Sequence, residues 1–185
     1  ITSLNEFFKR KGMEIFKIEY LNVHGGSLRV FTQKIGGKHK KDVSVEEFLR
    51  REREFGLDRF SVYEQFAQDI KKKREKIRDL IIKLKGEGKR IVGYGAPAKA
   101  TTLLNFYNIN NEHIDYIIED NPLKFGKTVP GARILIKSHG QVERPLPDHI
   151  YILAWNYTDE ILKNNDSYRK EGVKFIASYP ELRIL

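Results

Sequence analysis

The hexapeptide Gly93-Tyr94-Gly95-Ala96-Pro97-Ala98 follows an apolar run, Arg90-Ile91-Val92, and opens onto a segment with helical spacing. A strand that ends in two glycines and turns directly into a helix is the setting in which backbone amides cradle phosphate. The first glycine permits a tight turn. The second lets a ligand approach the backbone with no Cβ in the way, and Ala98 stands where a third small residue allows close helix packing. Pro97 suits a first helical turn, where its missing N–H costs little, and Lys99 adds a positive charge. Glu119 and Asp120 close the next apolar run, about 20 residues on, where a carboxylate that accepts from ribose hydroxyls belongs. The same glycines also fit a strand–helix turn that holds no ligand, so the spacing alone leaves both readings open.

The other strand ends are polar too. Asn121 and Lys124 follow the second apolar run, and Trp155 and Asn156 follow a later one. Trp155 is placed either to stack on a base or sugar or to cap the core at the sheet edge. Asn156 is either a contact or an N-cap. His24, beside Gly25 and Gly26, is either a substrate contact or a hydrogen-bonded loop residue. Nothing local supplies a nucleophilic triad, a paired-carboxylate site or metal ligands at ligand spacing.

These groups need a scaffold, and the apolar pattern describes one. Short apolar runs at 90–94, 114–118, 133–136, 149–153 and 173–177 alternate with helical segments at 98–107 and 159–170. That rhythm predicts an α/β fold with a mostly parallel sheet of about five strands, helices on both faces, and ligands at the carboxyl ends of the strands. Upstream, a long helix is expected from Phe60 to Gly86. Tyr63, Phe66, Ile70, Ile77, Leu80 and Leu84 form a stripe along it, open to packing on its own domain or to a coiled-coil seam. Before it, Ser44 with Glu47 has capping-box spacing and begins a helix toward Phe55. The chain starts with a short helix over 4–11, whose capping box would be Ser3 with Glu6. Two β-like runs follow, 13–20 and 27–34, forming an antiparallel pair across His24-Gly25-Gly26.

Composition narrows the function. The 185 residues carry a net charge of +9, but residues 71–90 alone hold ten Lys and Arg against Glu75, Asp79 and Glu87. The excess lies on one expected helix and the strand entry after it, interrupted by acids and without an aromatic platform, so a nucleic-acid partner is disfavoured. There is no cysteine, hence no thiol nucleophile and no Cys-built zinc site. No apolar run reaches the length of a membrane span, and a cytoplasmic location is expected.

Taken together, these segments resemble one family: the SAM-dependent C-methyltransferases that act on nucleotide-linked deoxysugars. The matching stretches are His24 to Val30 (HGGSLRV), Val92 to Asn105 (VGYGAPAKATTLLN), Ile114 to Gly131 (IDYIIEDNPLKFGKTVPG), Leu153 to Ile161 (LAWNYTDEI) and Tyr179-Pro180-Glu181. The resemblance implies a parent with a zinc-binding N-terminal region, a central SAM-binding domain and a Rossmann-like C-terminal domain. In those terms, 1–43 corresponds to the last helix and strand pair of the central domain, 44–88 to a helical connector, and 89–185 to the C-terminal domain.

The resemblance further implies that the zinc cysteines, the SAM loop and the catalytic stretch lie upstream of Ile1. It therefore implies no catalytic residue and no metal ligand in this chain, no cofactor bound to it, and SAM acting only in the parent. The substrate would be a nucleotide-linked sugar, held by Gly93, Tyr94, Gly95, Ala96, Lys99, Glu119, Asp120, Asn121, Lys124, Trp155 and Asn156. His24 and Arg29 would contribute from the HGGSLR stretch. Ala100 replaces the family's usual glycine after Lys99, which weakens the case for close ligand approach there. Residues 1–35 are expected to be mobile or paired with a neighbouring molecule, and the 60–86 helix is a second candidate for self-association. The competing readings are a stand-alone NAD(P)- or nucleotide-binding module and an assembly domain whose glycine turn is empty.

Overall fold

Strands β1 (Met13–Leu21) and β2 (Ser27–Lys34) pair antiparallel in the computed structural model, which describes every residue from Ile1 to Leu185. Ile15 and Ile18 are both buried, although strict alternation would send them to opposite faces. The register shifts between Ile15 and Lys17, and this bulge at Phe16 turns both side chains the same way. They form a small core with Val45, packed by Phe8 of helix α1 (Thr2–Arg10) and by Phe48 and Leu49 of helix α2 (Val43–Phe55).

Both expected capping boxes are replaced. Helix α1 has no side-chain cap; the Glu52 carboxylate accepts from Thr2 N–H at 2.6 Å instead. Asp42 caps α2, accepting from Ser44 N–H at 2.9 Å. The Ser44 hydroxyl accepts from Ile18 N–H at 3.0 Å, so a tertiary partner has taken the oxygen that local spacing assigned to the helix end. These elements belong to the first of two compact units, Ile1–Gln68; the second is Asp69–Leu185.

The second unit is built on a six-stranded sheet in the order β5-β4-β3-β6-β7-β8. Its strands are β3 (Ile91–Tyr94), β4 (Ile117–Ile118), β5 (Ile136–Lys137), β6 (His149–Ile152), β7 (Lys174–Ala177) and β8 (Arg183–Ile184). All neighbours are parallel except β7 and β8. The five expected strands are present, several of them shorter, and β8 is an addition. Two exposed residues carry no period from which β8 could have been read.

Helix α3 (Phe60–Gly86) places Ile77, Ile81 and Leu84 on one face of this sheet, beside Ala100, Leu104 and Tyr107 of helix α4 (Ala98–Tyr107). Tyr63 and Phe66, on the N-terminal part of the expected α3 stripe, are exposed. The opposite face packs Val92, Ile150, Ile152 and Phe175 against Ile161 of helix α5 (Thr158–Asn164). The helix expected over 159–170 breaks at Asn165, whose amide nitrogen donates to Ile161 O at 2.8 Å, and resumes as α6 (Asp166–Lys170). No helix is long and apolar enough to cross a membrane.

His149, at the start of β6, is 5% exposed, and its Nδ1 has no partner. Burial holds its pKa below the ordinary value, and burial with the nearby Arg78 does the same to His113. As pH falls below the unfolded-state value of about 6.5, the unfolded chain takes up protons that the folded one refuses, so stability declines. We expect the melting temperature of the second unit to hold above about pH 7 and to fall as pH drops below about 6.5. His149→Phe should flatten that decline. An unchanged slope in the variant would remove His149 as its source.

Candidate functional site

The chain diverges between β3 and β6. From β3 it runs through α4 to β4 on one side, and from β6 through α5 and α6 to β7 on the other. At such a switch point the loops leave a crevice above the carboxyl ends of the strands. A pocket of about 330 Å³ opens there, lined by Tyr94, Gly95 and Pro97 after β3, by Glu119, Asp120 and Lys124 after β4, and by Glu160 from α5.

The glycine turn beneath it is closed by the protein itself. Gly95 N–H donates to Ile118 O at 2.8 Å, and Ala96 N–H to Glu119 Oε2 at 2.7 Å. Gly95 has φ +82°, and a Cβ on it would lie 2.7 Å from the Cβ of Ala154. The close approach that requires glycine is therefore to the loop after β6. The amides that find no acceptor in the chain lie one step on, at Ala98 and Lys99, the first two residues of α4.

Glu119 explains why the turn is closed. Its Oε2 accepts from Ala96 N–H and from Lys124 Nζ (3.1 Å), and its Oε1 accepts from the N–H groups of Asp120 and Asn121 (both 3.0 Å). Burial pushes its carboxyl upward, but the Ala96 and Asn121 amides and Lys124 more than offset this and hold it below the ordinary value. A carboxylate with four donors has little capacity left for a ribose. Lys124 is similarly engaged, donating to Ala96 O at 3.0 Å. Asn121 accepts from Leu123 N–H at 3.0 Å and shapes the following turn.

Of the two carboxylates after β4, Asp120 is the one left facing the pocket. Its Oδ1 lies 2.9 Å from His139 Nε2, and both of its oxygens lie 3.3 Å from the Tyr94 hydroxyl. Burial foremost, with the Asp120 charge adding, raises the Tyr94 pKa, so the phenol keeps its proton.

Trp155 lies outside the pocket lining. Its ring meets Tyr179 at 4.3 Å between centroids, and Lys99 Nζ sits 4.6 Å from its centroid. An incoming base would have to displace Lys99. Asn156 sits in a short 3-10 turn, and Tyr157, without a side-chain cap, precedes α5. His24 and Arg29 belong to the first unit. His24 holds a left-handed φ of 54° in the β1–β2 loop, and Arg29 donates to Glu19 at 3.4 Å.

The structure thus gathers Tyr94, Gly95, Glu119, Asp120 and Lys124 around one cavity, whose lining does not include Ala96 or Lys99. His139 and Glu160 were missed. His139 follows β5 in Ser138-His139-Gly140 and has no sequence signal; only the parallel pairing of β4 with β5 brings it to Asp120.

A doubly wound, mostly parallel sheet with a crevice at its divergence defines a Rossmann-like α/β domain. Within that class, residues 22–180 match the model of the C-methyltransferase C-terminal domain. The chain is also 34% identical over 183 residues to C-methyltransferase NovU of Streptomyces niveus, an alignment that covers 99% of this chain and 44% of the relative. The chain belongs to the C-methyltransferase C-terminal domain family. It spans less than half the length of that curated relative.

Proposed function

We propose that this chain is the sugar-nucleotide-binding part of a SAM-dependent C-methyltransferase acting on a nucleotide-linked keto-deoxysugar, and that alone it transfers no methyl group. The observation that carries the reading is the pocket of about 330 Å³ at the sheet's divergence, large enough for one sugar or nucleoside ring. Inside, Glu119, Asp120 and Glu160 outnumber Lys124, which favours hydroxyl groups over phosphate. The diphosphate is better placed at the start of α4, where the Ala98 and Lys99 amides, the helix dipole and the Lys99 ammonium all attract an anion.

In the parent enzyme S-adenosylmethionine would supply the methyl group. The residues of the Gly93–Ala96 turn do not fit that cofactor, because the Gly95 and Ala96 amides already have acceptors. Its site would accordingly lie outside these residues. The same observation weighs against an NAD(P) module, whose pyrophosphate and ribose would need those amides and Glu119. The reading places the enzyme in the cytoplasm with its substrate.

Isothermal titration with dTDP-glucose and with NAD⁺ tests it. We expect dTDP-glucose to bind, pyrophosphate to compete, and Lys99→Ala to weaken binding about 3- to 10-fold. Binding of NAD⁺ with none of dTDP-glucose would reverse the assignment.

A further inference from the structure

The geometry points to a hydroxyl-recognition device made of Asp120, His139 and Tyr94, in which His139 positions the Asp120 carboxylate to accept from two adjacent hydroxyls of a sugar ring. The inference rests on the sugar-nucleotide reading of the same pocket and names the part of the ligand that the acidic rim reads.

The hydrogen bonds assign the roles. A carboxylate only accepts, so the 2.9 Å contact between Asp120 Oδ1 and His139 Nε2 requires the proton on Nε2. The Tyr94 oxygen lies 3.0 Å from the same Nε2 and 3.3 Å from each Asp120 oxygen. Its proton therefore points between the two oxygens in a long, shared bond. Asp120 is anchored firmly on one side by the imidazole and loosely by the phenol. Its side chain is 68% exposed, so lone pairs on both oxygens are available to a ligand. A vicinal diol offers two donors at the spacing of two carboxylate oxygens and would replace the long Tyr94 bond with shorter ones. His139 is itself held, with its ring parallel to that of Tyr168 at 6.5 Å. His139 touches no ligand in this arrangement; it acts through Asp120.

The diol could come from the hexose or from a ribose, and three probes separate the sources. The compound dTDP-glucose carries only the hexose diol, UDP only the ribose diol, and dTDP neither. Asp120→Asn should weaken one diol-bearing probe about 10- to 100-fold, as expected for losing a charge-assisted pair, and leave dTDP within about 2-fold. The probe that suffers identifies the ring. His139→Ala should weaken the same probe about 3- to 10-fold, and His139→Gln, which restores an N–H donor, should recover most of the loss. The fluorescence of Trp155 checks that each variant is folded.

Equal losses for dTDP, or no loss for either diol-bearing probe while the unmodified chain binds dTDP-glucose, would overturn the device alone. Failure of His139→Gln to recover affinity would remove His139 from its role. If the unmodified chain binds none of the three probes, the sugar-nucleotide reading fails with it.

Discussion

Replacing Glu119 with alanine is expected to destabilise the second unit by about 2–4 kcal/mol, because one deletion strands several donors at once. The amides of Ala96, Asp120 and Asn121 and the ammonium of Lys124 all end on this carboxylate. Glu119→Gln keeps an acceptor for two of them but turns an NH₂ group toward the others, and should cost about 1–2 kcal/mol. The folded-state pKa of Glu119 is depressed, so its stabilisation is present above the unfolded-state value of about 4.3 and is lost as pH falls below it. Trp155 is the only tryptophan and belongs to this unit, so its fluorescence in a urea titration reads the unit directly. A variant with an unshifted midpoint would show that Glu119 is not the clasp of the turn.

Gly95→Ala is expected to cost about as much for a different reason. A left-handed backbone penalises any Cβ by about 1–2 kcal/mol, and at this φ of +82° the new methyl would also sit 2.7 Å from the Ala154 Cβ. Overpacking of that kind adds about 1–3 kcal/mol. The two shares separate in a double mutant: Ala154→Gly in the Gly95→Ala background should return the packing share and leave the backbone share. No recovery at all would mean that the contact with Ala154 is not what demands glycine. Because Gly95 and Ala154 both line the pocket, the single variant should also weaken sugar-nucleotide binding.

The architecture was legible in the sequence where side-chain period and punctuation agree. The alternation of short apolar runs with helical segments named five strands, α4 and the carboxyl-edge location of the crevice. It could not show features that depend on a distant partner. Ser44 has capping-box spacing, yet its hydroxyl serves Ile18 because β1 passes within reach. Ile15 and Ile18 share a core only through the bulge between them.

The site followed the same division. Gly93-Tyr94-Gly95 was recognisable as a tight turn at the right end of a strand, and Asp120 as a carboxylate at the next strand end. The filling of the Ala96 amide by Glu119, however, depends on the pairing of β3 with β4. The nearness of His139 to Asp120, across nineteen residues, depends in the same way on the pairing of β4 with β5. Residue type marked the place; strand order decided which groups there stay open to a ligand.

Both margins of the six-stranded sheet are stubs, β5 and β8, each two residues long. Along β5 the backbone is already taken up by a flanking segment, with Ile136 N–H donating to Lys127 O at 2.9 Å and Gly126 N–H to Ile136 O at 2.9 Å. A stranger's strand needs a row of open donors and acceptors to add on, and neither margin offers one of useful length. The domain can thus stand beside many copies of itself without seeding fibrils through its sheet, and aggregation under stress should begin elsewhere in the chain.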